Sequence, residues 1–217
     1  TVLRLSTLCT GRTGVRPVVA ETYAAVLNAN IHPVIREYGS LGCSGDLAPL
    51  AHAALALLGE GEVRVDGGDI TPAGEALKAA GIEPLQLREK EGLALINGTD
   101  GMLGQLCLAI TDLRELAKTA DIATAMTVEG LLGTLVVFAD DLQQLRPHPG
   151  QADAAANILA VAEGSAILEA ALEEFKKNQV QDAYSVRCAP QVAGGFRDTV
   201  AHTALVAERE LAAAVDN

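Results

Sequence analysis

Residues 39–46 read Gly39-Ser40-Leu41-Gly42-Cys43-Ser44-Gly45-Asp46, and Leu47-Ala48-Pro49-Leu50-Ala51-His52 follows at once. A serine among three glycines, just before a helix start, suggests three chemistries. A nucleophile elbow needs G-x-S-x-G, but Asp46 stands where the second glycine belongs. A phosphate loop needs a lysine after its last glycine, and none is present. The third chemistry is backbone cyclisation. The amide nitrogen of Gly45 attacks the carbonyl carbon of Cys43 and closes a five-membered ring. Loss of two waters, one from ring closure and one from the Ser44 side chain, leaves an imidazolone with an exocyclic alkene. The Ser44 Cβ becomes the alkene carbon. Gly45 suits its place because a missing Cβ permits the compressed backbone.

That product is MIO (4-methylidene-imidazol-5-one), and the chain around it resembles the histidine and aromatic amino-acid ammonia-lyases. Their motif is usually Ala-Ser-Gly followed by Asp-Leu-Ala-Pro-Leu, which Asp46 to Leu50 matches. Cys43 replaces the alanine, a mild change because that residue contributes only its carbonyl. Two further segments carry the resemblance. Glu91-Gly92-Leu93-Ala94-Leu95-Ile96-Asn97-Gly98-Thr99 is similar to the family's Leu-x-Asn-Gly-Thr segment, which implies that Asn97 lies beside ring and substrate. Asp100 stands where glutamine is commonest, and no catalytic role is assigned to it. Gln181-Asp182-Ala183-Tyr184-Ser185-Val186-Arg187-Cys188-Ala189-Pro190-Gln191 is similar to Gln-Asp-x-Tyr-Ser-x-Arg-Cys-x-Pro-Gln. By that match Arg187 takes the substrate carboxylate, since a guanidinium grips it with two parallel hydrogen bonds. Tyr184 takes part in proton transfer, Gln181 bonds the substrate, and Asp46 supports the loop. Residues 181, 184 and 187 share a face if helical.

The resemblance implies non-oxidative elimination of ammonia from L-histidine to trans-urocanate, the first step of histidine degradation. The electrophile is MIO, formed autocatalytically from Cys43-Ser44-Gly45, with no metal or diffusible cofactor. Ser185, Cys188 and Arg146-Pro147-His148-Pro149 look more like the histidine branch than the phenylalanine or tyrosine branch. A phenylalanine or tyrosine ammonia-lyase, or an aminomutase, is the alternative within the family. A catalytically inactive helical scaffold is the alternative outside it. The family also implies a homotetramer with composite active sites, so Tyr184 and Arg187 can serve a neighbour's ring.

Composition bounds the rest. The chain has 217 residues, 49% of them apolar, enough for a substantial core. Aromatics make up 3% and Trp is absent, which favours close-packed helices over a β-sandwich. A net charge of −12 argues against a nucleic-acid groove. Cys9, Cys43, Cys107 and Cys188 show no C-x-x-C pair, and His32, His52, His148 and His202 are equally scattered. No metal site is expected, and reduced thiols suit a cytoplasmic protein. Leu131 to Ala139 is too short to span a bilayer, and no membrane association is expected. Thr1 to Gly11 holds no cleavage pattern of a signal peptide.

Hydrophobic spacing predicts helices over Thr1–Thr10, Val18–Asn30 and Asp46–Gly59, the last with Asp46 as N-cap and Pro49 in its first turn. The N-terminal amides of that helix favour negative charge in the loop. Val63-Arg64-Val65 and Asp69-Ile70-Thr71 flank Asp66-Gly67-Gly68, a hairpin signal read as a surface excursion near residues 62–71. A short helix to about Ala80 follows. Beyond it, helices are expected over Gly101–Lys118, Ile122–Leu145, Ala152–Lys177 and Gly195–Val215. The fold class is therefore all-α: a long-helix bundle over about 101–217 with one β-hairpin, the ammonia-lyase/fumarase-like type by resemblance. His148 sits at a break between helices and reads as structural, His52 as a core or capping residue. The arginines of Gly11-Arg12-Thr13-Gly14-Val15-Arg16-Pro17 are expected to pack near the site without acting in it.

Neither Val2-Leu3-Arg4-Leu5 nor Ala212-Ala213-Ala214-Val215 has the form of a natural terminus. Residues 1–217 are read as the central part of a single catalytic chain, with the N- and C-terminal portions of the family subunit absent. The family's catalytic base, a tyrosine in a Tyr-Gly-x-Asn-x-Gly loop, has no counterpart, because Tyr23 and Tyr38 stand in other contexts. The acidic residue of the C-terminal half is missing too. These 217 residues alone are expected to be inactive.

Overall fold

The structure, a computed structural model, describes residues 1–216, with the backbone alone for 174–178. The chain forms two compact units: Thr1–Leu106 together with the residues from Glu208 on, and Cys107–Ala207.

The first unit contains α1 (Val2–Cys9), α2 (Pro17–Asn28), β1 (Ile31–Pro33), α3 (Leu47–Leu57), β2 (Glu62–Val65), β3 (Ile70–Pro72), α4 (Ala73–Ala79) and α5 (Glu91–Ile96). Pro17 opens α2 at a position whose missing N–H has no intrahelical partner to lose. Leu8, Val19, Val26, Ile31, Leu57, Val63, Leu77 and Leu95 form one buried cluster. The hairpin is there, but it belongs to a three-stranded antiparallel sheet of order β1-β2-β3. Ile31 pairs with Val65, and Val63 with both Pro33 and Thr71. The excursion lies at the surface as expected, with Val63 its one buried side chain, while Ala73 and Leu77 of the following helix are fully buried. β2 turns one side chain inward while Glu62, Arg64 and Val65 face solvent, and that single valine anchors the sheet to the core. Three residues, the last of them a proline, carry too little periodicity to reveal β1.

The second unit takes up most of α6 (Asp100–Gly130). It continues through a 3₁₀ turn (Val136–Phe138), α7 (Asp140–Gln144), α8 (Pro149–Ala162), α9 (Ala166–Asn178), α10 (Tyr184–Arg187) and most of α11 (Ala189–Leu211). Three helix expectations are corrected. Gly101–Lys118 and the start of Ile122–Leu145 are one 31-residue helix that stops at Gly130. Leu131, Leu132 and Val136 continue the apolar spacing but lie past the helix end and are more than half exposed, with Leu132 at φ +54°. The expected Ala152–Lys177 helix divides at Gly164, where φ is +73°. Ala125, Val128, Phe138, Ala155, Ile158, Leu168 and Val186 make this unit's core.

α8 and α11 meet backbone to backbone. A Cβ on Gly150 would lie 2.6 Å from the Gly194 carbonyl oxygen, and one on Gly194 would lie 2.5 Å from the Gln151 nitrogen. The Gly150 N–H donates to Asp198 Oδ1 at 2.9 Å, so α11 supplies a partner for the open N-terminus of α8. This is what the Arg146-to-Gln151 segment does, with His148 at the N-cap position. The apolar run from Glu91 to Gly130 is of a length that could cross a bilayer. Asp112, Arg114, Glu115, Lys118 and Asp121 along α6 speak against that placement.

Candidate active site

The Gly39–Asp46 loop lies on the first unit. Cys43, Ser44 and Gly45 are exposed, as is the loop from Glu37 to Leu41 apart from a half-buried Ser40. Asp46 is buried, and its carboxylate does not cap α3 as expected. It turns back into the loop, where Oδ2 accepts the Ser40 hydroxyl and Oδ1 accepts the Leu41 N–H at 2.6 Å. The Ser40 hydroxyl, followed by the Leu41 and Gly42 amides, holds this carboxyl below the usual aspartate range although burial acts the other way. One carboxylate thus closes the loop on the N-terminal side of Cys43-Ser44-Gly45. On the other side the Leu47 N–H donates to the Gly45 carbonyl at 2.9 Å. No atom outside the immediate chain lies within 4 Å of where a Gly45 Cβ would stand. Space around Gly45 is open, so its identity matters for backbone freedom and not for packing.

The second motif meets the first here. α5 ends at Asn97, whose backbone is extended and whose Nδ2 donates to the Leu93 carbonyl at 2.9 Å. The next residue, Gly98, is buried, and its N–H donates to the Ser44 carbonyl oxygen at 3.0 Å. The structure makes Gly98 an amide donor to the carbonyl of Ser44. Its only sequence signal is a glycine directly after the motif asparagine. Behind Gly98, Asp100 pairs with Arg4 at 2.9 Å, a partner 96 positions away with no local signal at all.

The Gly11-to-Pro17 segment is held to the start of α5. Arg16 makes a two-pronged contact with Glu91, Nε to Oε1 and Nη2 to Oε2, both at 2.8 Å. The backbone N–H groups of Arg16 and Arg88 add two more bonds to Glu91, at 3.1 and 2.7 Å. These bonds, led by Arg16, bring the buried Glu91 carboxyl down to about 2. Arg16 therefore braces the helix that carries Asn97. Tyr23 is fully buried with its hydroxyl unpartnered, and burial raises it well above the usual tyrosine range. Tyr38 is 85% exposed. His52 lies half-buried on α3 with Nδ1 unpartnered.

Gln181, Tyr184 and Arg187 belong to the second unit. They do not share a helical face, because α10 begins only at Tyr184 and Gln181 lies before it in irregular chain. The backbone turns out of the helix at Ala183 (ψ 144°), and Asp182 Oδ2 accepts the Thr134 N–H at 2.9 Å. Tyr184 and Arg187 do come together: the guanidinium carbon lies 5.5 Å from the tyrosine ring centre. Arg187 Nε donates to the Asp182 carbonyl at 3.0 Å, which fixes the plane of the guanidinium. Tyr184 is 72% exposed and stands at an open apolar groove of about 770 Å³, lined also by Leu116, Cys188, Val192 and Phe196. Among the described residues no group of His, Cys, Asp or Glu could hold a metal ion.

Known proteins match this arrangement along its whole length. Histidine ammonia-lyase of Streptomyces coelicolor is 64% identical over 215 residues, which are 99% of this chain and 42% of that protein. Among solved structures, tyrosine aminomutase of Streptomyces globisporus matches with a TM-score of 0.82 at 42% identity, over 99% of this chain and 43% of that one. Histidine ammonia-lyase of Trypanosoma cruzi matches with a TM-score of 0.79 at 36% identity, over 100% and 39% respectively. The chain thus spans about two-fifths of the length of the proteins it matches. The family pattern of aromatic amino acid lyases fits residues 1–217 without interruption, and the chain belongs to that family.

Proposed function

We propose that this chain is the ring-bearing part of a histidine ammonia-lyase, which eliminates ammonia from L-histidine to give trans-urocanate. The observation that carries the reading is the Gly98 N–H on the Ser44 carbonyl oxygen, which joins the Asn97-Gly98-Thr99 segment to the Cys43-Ser44-Gly45 loop. Histidine as substrate is supported by the name of the Streptomyces coelicolor relative.

The residues fit a ring built from Cys43-Ser44-Gly45. The Ser44 carbonyl oxygen would become the ring oxygen, and it already has a donor. Open space beside Gly45 lets the backbone tighten, and Asp46 holds the incoming strand of the loop. The ring would supply an electrophilic carbon that activates the amino acid for loss of ammonia. Around it, the chain's own groups have distinct tasks. The Gly98 amide stabilises negative charge on the Ser44 oxygen, a preorganised donor of the kind worth about 10²–10³ in rate. Asn97 lies one residue away and contributes polar contacts beside the ring. Arg187, oriented through Nε, presents its remaining nitrogens to the substrate carboxylate. Tyr184, stacked on Arg187, moves a proton, and Gln181 bonds the substrate. The open groove at Tyr184 supports a homotetramer with composite sites, in which these residues complete a neighbour's ring. A cytoplasmic setting accords with four free cysteines and the acidic net charge.

The test is turnover of histidine, phenylalanine and tyrosine by the full gene product, followed by ultraviolet absorbance and ammonia release. Urocanate from histidine is the expected result. Ammonia from phenylalanine or tyrosine instead, or an amino-group shift without ammonia release, would overturn histidine as substrate. The latter outcome would place the chain with the tyrosine aminomutase it resembles.

A further inference from the structure

The Asn97–Thr99 link is braced from behind by a buried ion pair. Arg4 and Asp100 have side chains 1% and 9% exposed. Arg4 Nη1 donates to Asp100 Oδ2 at 2.9 Å, while Nη2 donates to the Ala94 carbonyl. Ala94 lies in α5 and Asp100 opens α6, so one planar guanidinium holds the elements on both sides of the link. The Thr7 hydroxyl donates to the other carboxylate oxygen, Oδ1, at 2.6 Å. Gly98, at φ +148°, rests directly on the pair: a Cβ there would lie 2.5 Å from Asp100 Oδ2 and 2.7 Å from Arg4 Nη1. The N–H of the same residue faces the Ser44 oxygen.

We propose that Arg4 and Asp100 are positioning residues that hold the Gly98 amide on the Ser44 carbonyl oxygen. This rests on the reading of Cys43-Ser44-Gly45 as the reactive ring. The physical argument is stiffness. A guanidinium presents its donors in a fixed fork, so the separation of its two acceptors, Ala94 and Asp100, is set by covalent geometry. Lysine, with one mobile ammonium, could not set it. Thr7 fixes the carboxylate from a third direction. The short link between these anchors has little freedom left, and the amide at its centre keeps both distance and angle to Ser44. Loosening the brace degrades both, and hydrogen bonds weaken steeply with angle.

The test compares wild type, Asp100→Asn and Thr7→Val in the full gene product. Asp100→Asn keeps the shape and removes the charge; Thr7→Val leaves the ion pair and removes one donor. Three quantities are read: hydrogen exchange of the Gly98 amide against the core amides of Val26 and Leu57, the fraction of chain lighter by two waters, and kcat and KM per ring-bearing chain. In Asp100→Asn, Gly98 exchange is expected to rise about tenfold while Val26 and Leu57 stay protected. kcat should fall about tenfold to a hundredfold, with KM held within about twofold. Thr7→Val should move Gly98 exchange and kcat the same way, by about threefold. Unchanged Gly98 exchange, or a rise shared by Val26 and Leu57, overturns the proposal. If Asp100→Asn does not fold, Thr7→Val decides on the same criteria. A wild type with neither mass deficit nor ammonia release would sink the functional reading instead, while Gly98 protection in the variants would still judge the brace.

Discussion

Gly98→Ala concentrates the strain of the site on one atom. The new Cβ would stand 2.5 Å from Asp100 Oδ2 and 2.7 Å from Arg4 Nη1, about 1 Å inside ordinary contact. Both obstructing atoms are ends of side chains, yet they are the two halves of a buried ion pair and cannot swing into water. Either the pair opens or the backbone moves. Overpacking of this kind costs about 1–3 kcal/mol. An alanine at φ +148° adds about 1 kcal/mol or more of backbone strain, for a combined loss of about 2–4 kcal/mol. If the backbone yields, the Gly98 amide leaves the Ser44 oxygen and the rate should fall about a hundredfold. Urea unfolding of the full gene product measures the first effect, and kcat per ring-bearing chain the second. A variant within about 0.5 kcal/mol of wild type, with wild-type kcat, would refute the reasoning, since surface-like tolerance is incompatible with that contact.

Other perturbations probe separate parts of the structure. Gly194→Ala would drive a Cβ to 2.5 Å from the Gln151 nitrogen, a backbone atom that cannot turn aside. A loss of at least about 2 kcal/mol in urea unfolding is expected, and a neutral variant would contradict the α8–α11 contact. Glu91 has a folded-state pKa of about 2, below its ordinary 4.5. The stability it contributes is therefore complete above about pH 4.5 and is lost as pH falls towards 2. Glu91→Gln should flatten that acid limb; equal pH slopes in both proteins would exclude the Arg16 contact as its source. Arg187→Lys replaces a fork by a point charge, so KM for histidine should rise about tenfold or more. An unchanged KM would remove Arg187 from carboxylate binding.

Much of the candidate site could be proposed from sequence because its chemistry is local. Cys43-Ser44-Gly45 and the Asn97 segment each lie in a few consecutive residues, and their family match needs no fold. What sequence could not supply was contact at a distance. The Arg4–Asp100 pair joins residues 96 positions apart, and the Gly98 donor joins two motifs that look independent. One helix error came from apolar residues that keep helical spacing without being helical. Leu131 and Leu132 prolong the stripe of α6 past Gly130, although the backbone has already turned at Leu132. The residues before α10 show the converse: the backbone leaves the helix at Ala183, so spacing of three promised a shared face that it does not make. The hairpin was visible from its turn, but its attachment depends on one valine of β2 meeting a core built by helices elsewhere in the chain.

The central claim is that Ser44 is the reactive atom source of a backbone ring. Intact mass of the full gene product, with the peptide spanning Leu41 to Asp46 isolated and sequenced by fragmentation, tests it most directly. The account predicts a deficit of two waters confined to Cys43-Ser44-Gly45, abolished in Ser44→Ala. A wild-type chain that releases ammonia from histidine while that peptide keeps its full unmodified mass would contradict it.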